Sequence, residues 1–208
     1  MTIIVHHLEN ARSQRVLWLL EELGLPYEVR RYARDKKTML GPEALKRIHP
    51  LGKSPIIEDD GRILVETGAI VEYLVEKGDG RVAAPAHRDA ALHYRQFLHY
   101  AEASLMPALF VLLVLSRVPL FGRTAMKRFQ PMVDVHLDYV ESVLAKQPWF
   151  AGDTITAADV MMSFPLEAAR SRAGLDGSRP ATIAWRAKIH ARPAYQAALA
   201  HGGPYAYA

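Results

Sequence analysis

The stretch Leu51-Gly52-Lys53-Ser54-Pro55-Ile56-Ile57-Glu58-Asp59-Asp60-Gly61-Arg62-Ile63-Leu64-Val65-Glu66-Thr67-Gly68-Ala69-Ile70 decides the reading of the fold. Two short apolar runs, Ile56-Ile57 and Ile63-Leu64-Val65, flank Asp59-Asp60-Gly61-Arg62, the pattern of a β-hairpin with a glycine in its turn. Pro55 stands at the start of the first strand, where a missing N–H does little harm. An acid and a hydroxyl, Glu66-Thr67, stand where the second strand gives way to a helix. A helix N-terminus offers unpaired N–H groups and a partial positive charge. Together these features predict a small site for a group with an amine and a carboxylate, the amine on Glu66 and the carboxylate on Thr67.

Working outward, residues 2–5 form a β-branched run and read as a strand. A polar connection over 8–13 follows. Val16, Leu17, Leu19, Leu20 and Leu23 then recur at helical spacing, with a stop at Gly24-Leu25-Pro26. Residues 27–32 read as a second strand, 34–41 as a polar loop, 42–48 as a short helix and 67–77 as a longer one. The order βαβ then ββα predicts a compact α/β domain over residues 1–80. After Gly78-Asp79-Gly80-Arg81 the pattern changes. From residue 88 onward only helical periodicity is found. Leu92, Tyr94, Phe97, Leu98 and Ala101 mark one helix, continuing to Met106 or kinked through Pro107. Val133, Leu137, Val140 and Leu144 mark another over 128–146. Thr156-Ala157-Ala158-Asp159 has the form of a capping box and opens a third. Shorter helices are expected over 180–191 and 193–200. The second domain, 88–208, is therefore expected to be an all-helical bundle.

The bulk properties narrow the function. Half of the 208 residues are apolar, enough for a substantial core, and the net charge is only +4. The cationic stretch over 30–37 is interrupted by Tyr32, Ala33 and Asp35, so a nucleic-acid partner is not expected. There is no cysteine, which excludes disulfides, thiolate metal sites and a cysteine nucleophile. Any thiol chemistry must use sulfur brought by a bound molecule. The histidines show no ligand spacing, so no metal is assigned. The N-terminus has no signal-peptide pattern, and the most apolar run, residues 109–115, is shorter than the ~20 residues that span a bilayer. A cytoplasmic protein without a membrane partner is the expectation.

Over nearly its whole length the chain resembles the cytosolic glutathione transferases. The resemblance rests on three ordered matches. Ser54-Pro55 falls at the family's cis-proline, Glu66-Thr67 at its acid–hydroxyl pair for the γ-glutamyl end of glutathione, and Thr156-Ala157-Ala158-Asp159 at its buried capping motif, preceded by Phe150-Ala151-Gly152-Asp153. It implies a thioredoxin-like N-terminal domain followed by an all-α C-terminal bundle. It also implies glutathione as co-substrate, a hydrophobic electrophile or a disulfide as second substrate, and a homodimer. The residues 8–16 are similar to a microbial subgroup that does not use the better-known tyrosine.

In serine-type members the key hydroxyl lies six residues before the helix valine, and counting back from Val16 reaches Asn10. An amide can donate a hydrogen bond to a thiolate but cannot act as an acid. Asn10 is equally readable as the N-cap of the first helix. Ser13, one turn on, is a second candidate donor, and Arg12 is either a source of positive potential or a solvated cation. The resemblance further implies that the Ser54 backbone pairs with the cysteinyl part of glutathione and that Lys53 or Lys37 meets its glycine carboxylate. Tyr100, Met106 and Phe110, with Leu109 and Leu113, are candidates for the electrophile pocket. Asp159 reads as a buried cap rather than a catalytic acid. With asparagine at position 10, conjugation, thiol–disulfide exchange and a module that binds glutathione without turnover all remain open.

Overall fold

The structure is a computed structural model and describes residues 2–208. By contact, the chain divides into two units, residues 2–83 with 190–206 and Ala208, and residues 84–189 with Tyr207.

The first unit is built on a four-stranded mixed sheet of order β2-β1-β3-β4. Its strands are β1 (Ile3–Leu8), β2 (Tyr27–Tyr32), β3 (Ile56–Asp59) and β4 (Arg62–Val65). β1 and β2 pair in parallel across helix α1 (Ser13–Leu23), and β3 runs antiparallel to both β1 and β4. The helices α2 (Glu43–Ile48) and α3 (Thr67–Lys77) complete the βαβ-ββα order read from the sequence. Strand periodicity assigns the two faces of β1. Leu8 packs with Ile56, Val65, Ala11 and Leu45 and Ile48 of α2. Ile3, Val5 and His7 alternate to the other face, where the Ser13 hydroxyl of α1 lies 3.0 Å from His7 Nδ1.

β1 extends three residues beyond the predicted strand because both histidines are satisfied inside. His6 Nε2 lies 2.6 Å from Glu58 Oε1 and its Nδ1 2.9 Å from the Tyr32 hydroxyl, while His7 bonds Ser13. Asp59, buried at the hairpin turn, accepts from the Tyr73 hydroxyl at 2.7 Å and pairs with Lys77 Nζ at 2.7 Å, which ties α3 to the hairpin.

The C-terminal helix α9 (Pro193–Gly202) was expected within the helical domain, yet it packs on α1 and groups with the first unit. Gly202 makes the close approach possible. A β-carbon there would stand 2.7 Å from Gln14 Oε1 and 3.0 Å from Leu17 Cδ1. Arg192 pairs with Glu22, and Arg31 donates through Nε to the carbonyl of His201 at 2.9 Å.

The second unit contains α4 (Arg88–Tyr100), α5 (Met106–Leu115), α6 (Gly122–Leu144), α7 (Ala157–Ala173) and α8 (Pro180–His190). A π-helical turn, Ala101–Leu105, joins α4 to α5, so of the two readings the continuation through Pro107 holds and the helix runs on to Leu115. This continuous run, Arg88–Leu115, is long and apolar enough to cross a membrane by length and composition. The apolar stretch 109–115 is only its C-terminal part. Tyr94, Phe97, Leu98, Leu105, Leu109 and Leu112 of this run are buried inside the unit, as in the core helix of a globular bundle, while Leu92, expected on the apolar stripe, is exposed. At the centre lies α7, buried on all sides from Ala157 to Ala169. Its start carries the predicted capping box. Asp159 Oδ2 accepts from the Thr156 N–H at 2.9 Å, and Oδ1 from the Phe150 N–H and Trp185 Nε1–H, each at 3.1 Å.

Two buried groups give the fold opposing pH dependences. Burial, helped by the Arg31 charge, drives His7 down to about 4 from an ordinary 6.5. The unfolded chain therefore binds the extra proton first, and stability is lost as pH falls through this window, by up to about 3 kcal/mol. Burial pushes Asp159 up to about 6 against the pull of its donors. Here the folded state holds the proton longer, and the stability this contributes is lost as pH rises from the ordinary carboxylate value towards 6. His7→Gln should flatten the acid limb of urea midpoints measured below the ordinary histidine value. Asp159→Asn should steepen that limb, and should lower the unfolding free energy at neutral pH by ~1 kcal/mol or more through the weakened cap.

Candidate active site

Ser54, Pro55, Glu66 and Thr67 gather at one end of the sheet with the end of β1, and the strand register puts them there. Ile56 is opposite both Val65 and His6. The residues just before β3, just after β4 and at the end of β1 are therefore neighbours. Ser54 fastens this corner. Its hydroxyl donates to the His6 carbonyl at 2.8 Å and accepts the Leu8 N–H at 3.3 Å. The Ser54–Pro55 peptide bond is cis, and Pro55 is buried.

Glu66 has φ 69° and ψ 119°, a left-handed backbone conformation that an L side chain rarely adopts. Holding such a residue costs on the order of 1–3 kcal/mol. The consequence is an abrupt turn from β4 into α3. The first bond of α3 runs from the Ile70 N–H to the Glu66 carbonyl at 2.9 Å. The N–H groups of Thr67, Gly68 and Ala69 therefore lack a helix carbonyl of their own. A β-carbon on Gly68 would meet nothing within 4 Å, so this helix end opens to solvent. Glu66 is exposed and Thr67 is buried beside it. An exposed carboxylate, a hydroxyl and a row of unpaired N–H groups can hold an ammonium and a carboxylate together.

The turn between β1 and α1 differs from the sequence reading. Asn10 is not the N-cap of α1. The cap position belongs to Arg12, which makes no side-chain capping bond and is partly buried. Asn10 sits earlier in the turn, with φ 51°, and its Oδ1 accepts the backbone N–H of Ala206 at 2.7 Å. Ser13 is fully buried, its hydroxyl 3.0 Å from His7 Nδ1 and 3.3 Å from the Leu8 nitrogen. Lys53 is exposed beside Ser54, and Lys37 lies on the exposed loop between β2 and α2, where Asp35 Oδ1 accepts its N–H at 3.0 Å. Sequence reasoning missed Ala206, and nothing local in the sequence announces it. The pairing of Ser13 with His7 could have been suspected from two adjacent polar residues at a strand end facing a helix start.

In the second unit, Tyr100 closes α4 just before the π-helical turn, a feature often found near functional sites. Its hydroxyl lies 2.6 Å from His136 Nδ1, and burial pushes its pKa up to about 12, so it is a neutral hydroxyl at physiological pH. Met106 is buried and Phe110 is exposed. Among the described residues no group of three or more His, Asp or Glu is arranged to hold a metal.

Two family models match the chain, the glutathione S-transferase N-terminal domain over residues 2–76 and the C-terminal domain over residues 102–193. The chain is 39% identical to glutathione S-transferase 3 of Schizosaccharomyces pombe, over 81% of this chain and 74% of that one. Among solved structures it resembles a glutathione S-transferase from Actinobacillus pleuropneumoniae with a TM-score of 0.89 and 32% identity, over 99% of this chain and 95% of that one. It also resembles a Phanerochaete chrysosporium glutathione transferase in complex with oxidised glutathione, with a TM-score of 0.79 and 25% identity, over 97% and 96% of the two chains. With the thioredoxin-like sheet, the proline-led hairpin and the helical bundle in place, the chain belongs to the glutathione S-transferase family.

Proposed function

We propose that this glutathione S-transferase binds the γ-glutamyl end of glutathione on Glu66 and Thr67, pairs its cysteinyl backbone with Ser54 beside Pro55, and donates to its sulfur from the Asn10 amide. The observation that carries this reading is the left-handed backbone of Glu66 at the open start of α3. That conformation is held at a cost, and the abrupt turn it makes into α3 leaves the Glu66 carboxylate exposed beside the unpaired N–H groups of the helix start. The binding of oxidised glutathione by the Phanerochaete relative supports the ligand.

The chemistry follows from the missing thiol. A free thiol has a pKa of ~8.5 and is mostly protonated at neutral pH. An Asn10 N–H donated to the sulfur favours the thiolate, and Arg12 adds positive potential; Ser13, being buried, is left a structural role. The thiol proton leaves to solvent. The sulfur lone pair then forms the bond to an electrophilic carbon, and the leaving group departs with its electron pair. Lys53, which directly precedes Ser54, is assigned to the glycine carboxylate. Tyr100, Met106 and Phe110 are assigned to the apolar co-substrate, with the neutral Tyr100 hydroxyl as its polar contact. The role is detoxification of apolar electrophiles in the cytoplasm. A homodimer is supported by Phe129, Met132 and Val135, exposed at helical spacing along α6.

Three measurements test this. Glu66→Gly relieves the strained conformation, so its melting temperature should not fall, while glutathione affinity measured by calorimetry should drop tenfold or more. Retained affinity would remove Glu66 from the site. Asn10→Ala should raise the pKa of the bound glutathione thiol, read from ultraviolet thiolate absorbance, by about one unit, which corresponds to about 1.4 kcal/mol. Parallel assays with chlorodinitrobenzene and hydroxyethyl disulfide should show conjugation as the faster reaction; turnover of the disulfide alone would make the protein a glutathione-dependent reductase.

A further inference from the structure

The Asn10 carboxamide is held from the far end of the chain. Its Oδ1 accepts the Ala206 N–H at 2.7 Å, a bond spanning 196 positions in sequence. An N–H donor can be received only by the oxygen of an amide, so this contact fixes which way the carboxamide points. No hydrogen bond to Nδ2 is found among the described residues, which leaves that donor free for a ligand.

The segment that delivers Ala206 starts from a clamped base. Gly202 is packed against Gln14 and Leu17 of α1, tighter than any side chain would allow. Arg31 of β2 bonds the His201 carbonyl, and the His201 ring lies 2.8 Å from both Glu21 Oε1 and the Tyr27 hydroxyl. Gly203, at φ 86°, then turns the chain out of α9. Position 206 is only four residues beyond this anchored helix end, so its reach is limited to that neighbourhood.

We propose that the Ala206 backbone N–H is a positioning group for the transferase reaction. By occupying the oxygen of Asn10, it turns the amide nitrogen outward as a fixed donor to the glutathione sulfur. This rests on the Asn10 assignment above and adds the group that orients it. A carboxamide free to rotate would present its oxygen to the thiolate part of the time and repel it. A pre-oriented one stabilises the anion without reorganising.

The test removes the N–H alone. Ala206→Pro deletes the donor, and Ala206→Gly keeps it. In Ala206→Pro the pKa of the bound glutathione thiol should rise by half a unit to one unit. At neutral pH the turnover number should fall about three- to tenfold, while the glutathione dissociation constant changes less than twofold. Ala206→Gly should titrate as the native protein does, and Ala206→Pro combined with Asn10→Ala should be no worse than Asn10→Ala alone. A native titration curve in Ala206→Pro, with a shifted one in Asn10→Ala, would overturn the positioning role and leave the donor role standing. An unshifted curve in Asn10→Ala, with glutathione still bound, would overturn both. A melting temperature equal to the native one in Ala206→Pro separates lost positioning from lost folding.

Discussion

The antiparallel pairing of β3 with β1 is the constraint on which the first unit depends. His6 stands opposite Ile56, and Ile56 stands opposite Val65. A slip of one residue would invert every side chain of β3 and send Ile56 away from Leu8, Leu45 and Val65. It would also carry Ser54 away from the His6 carbonyl and the Leu8 N–H that it joins. The same register sets where β4 ends, and so where Glu66 must turn and where α3 begins. Fold and site are thus specified by one set of backbone bonds, and Asp59, holding Tyr73 and Lys77, fixes the direction in which α3 leaves.

Strain and openness meet at that turn. Most of the chain's polar groups near the sheet end find partners inside the protein: His6 with Glu58, His7 with Ser13, Ser54 with β1. The start of α3 is different. Its first N–H groups have no helix carbonyl to bond, a β-carbon on its first glycine would meet nothing within 4 Å, and the residue before it holds an unfavourable backbone angle. A helix start that is costly to form and open beside Gly68 suits a charged ligand better than it suits stability.

Much of this was legible in the residues because it is local. The hairpin is marked by its turn glycine and flanking β-branched runs, α1 and α3 by helical spacing, and the capping box of α7 by four consecutive residues. What was not legible depends on distance in sequence. His6 and His7 look like the polar end of a strand until Glu58, Tyr32 and Ser13 are brought beside them. The helix α9 reads as one more member of the bundle, and only the missing side chain at Gly202 lets it lie on α1. Asn10 has the composition of a helix cap, but its partner is Ala206, which no periodicity or motif could have linked to it. The continuation of α4 through Pro107 was one of two readings the residues allowed, and only the π-helical turn that shifts the spacing had no local signal.

The most direct test of the central claim is a titration of the backbone amide resonances with S-methylglutathione, which carries every recognition group of the tripeptide but no ionisable thiol. The largest shifts should fall on the Thr67, Gly68 and Ala69 N–H groups and on Ser54, with smaller ones in the turn before α1. Saturable binding that leaves those four amides unmoved would contradict it.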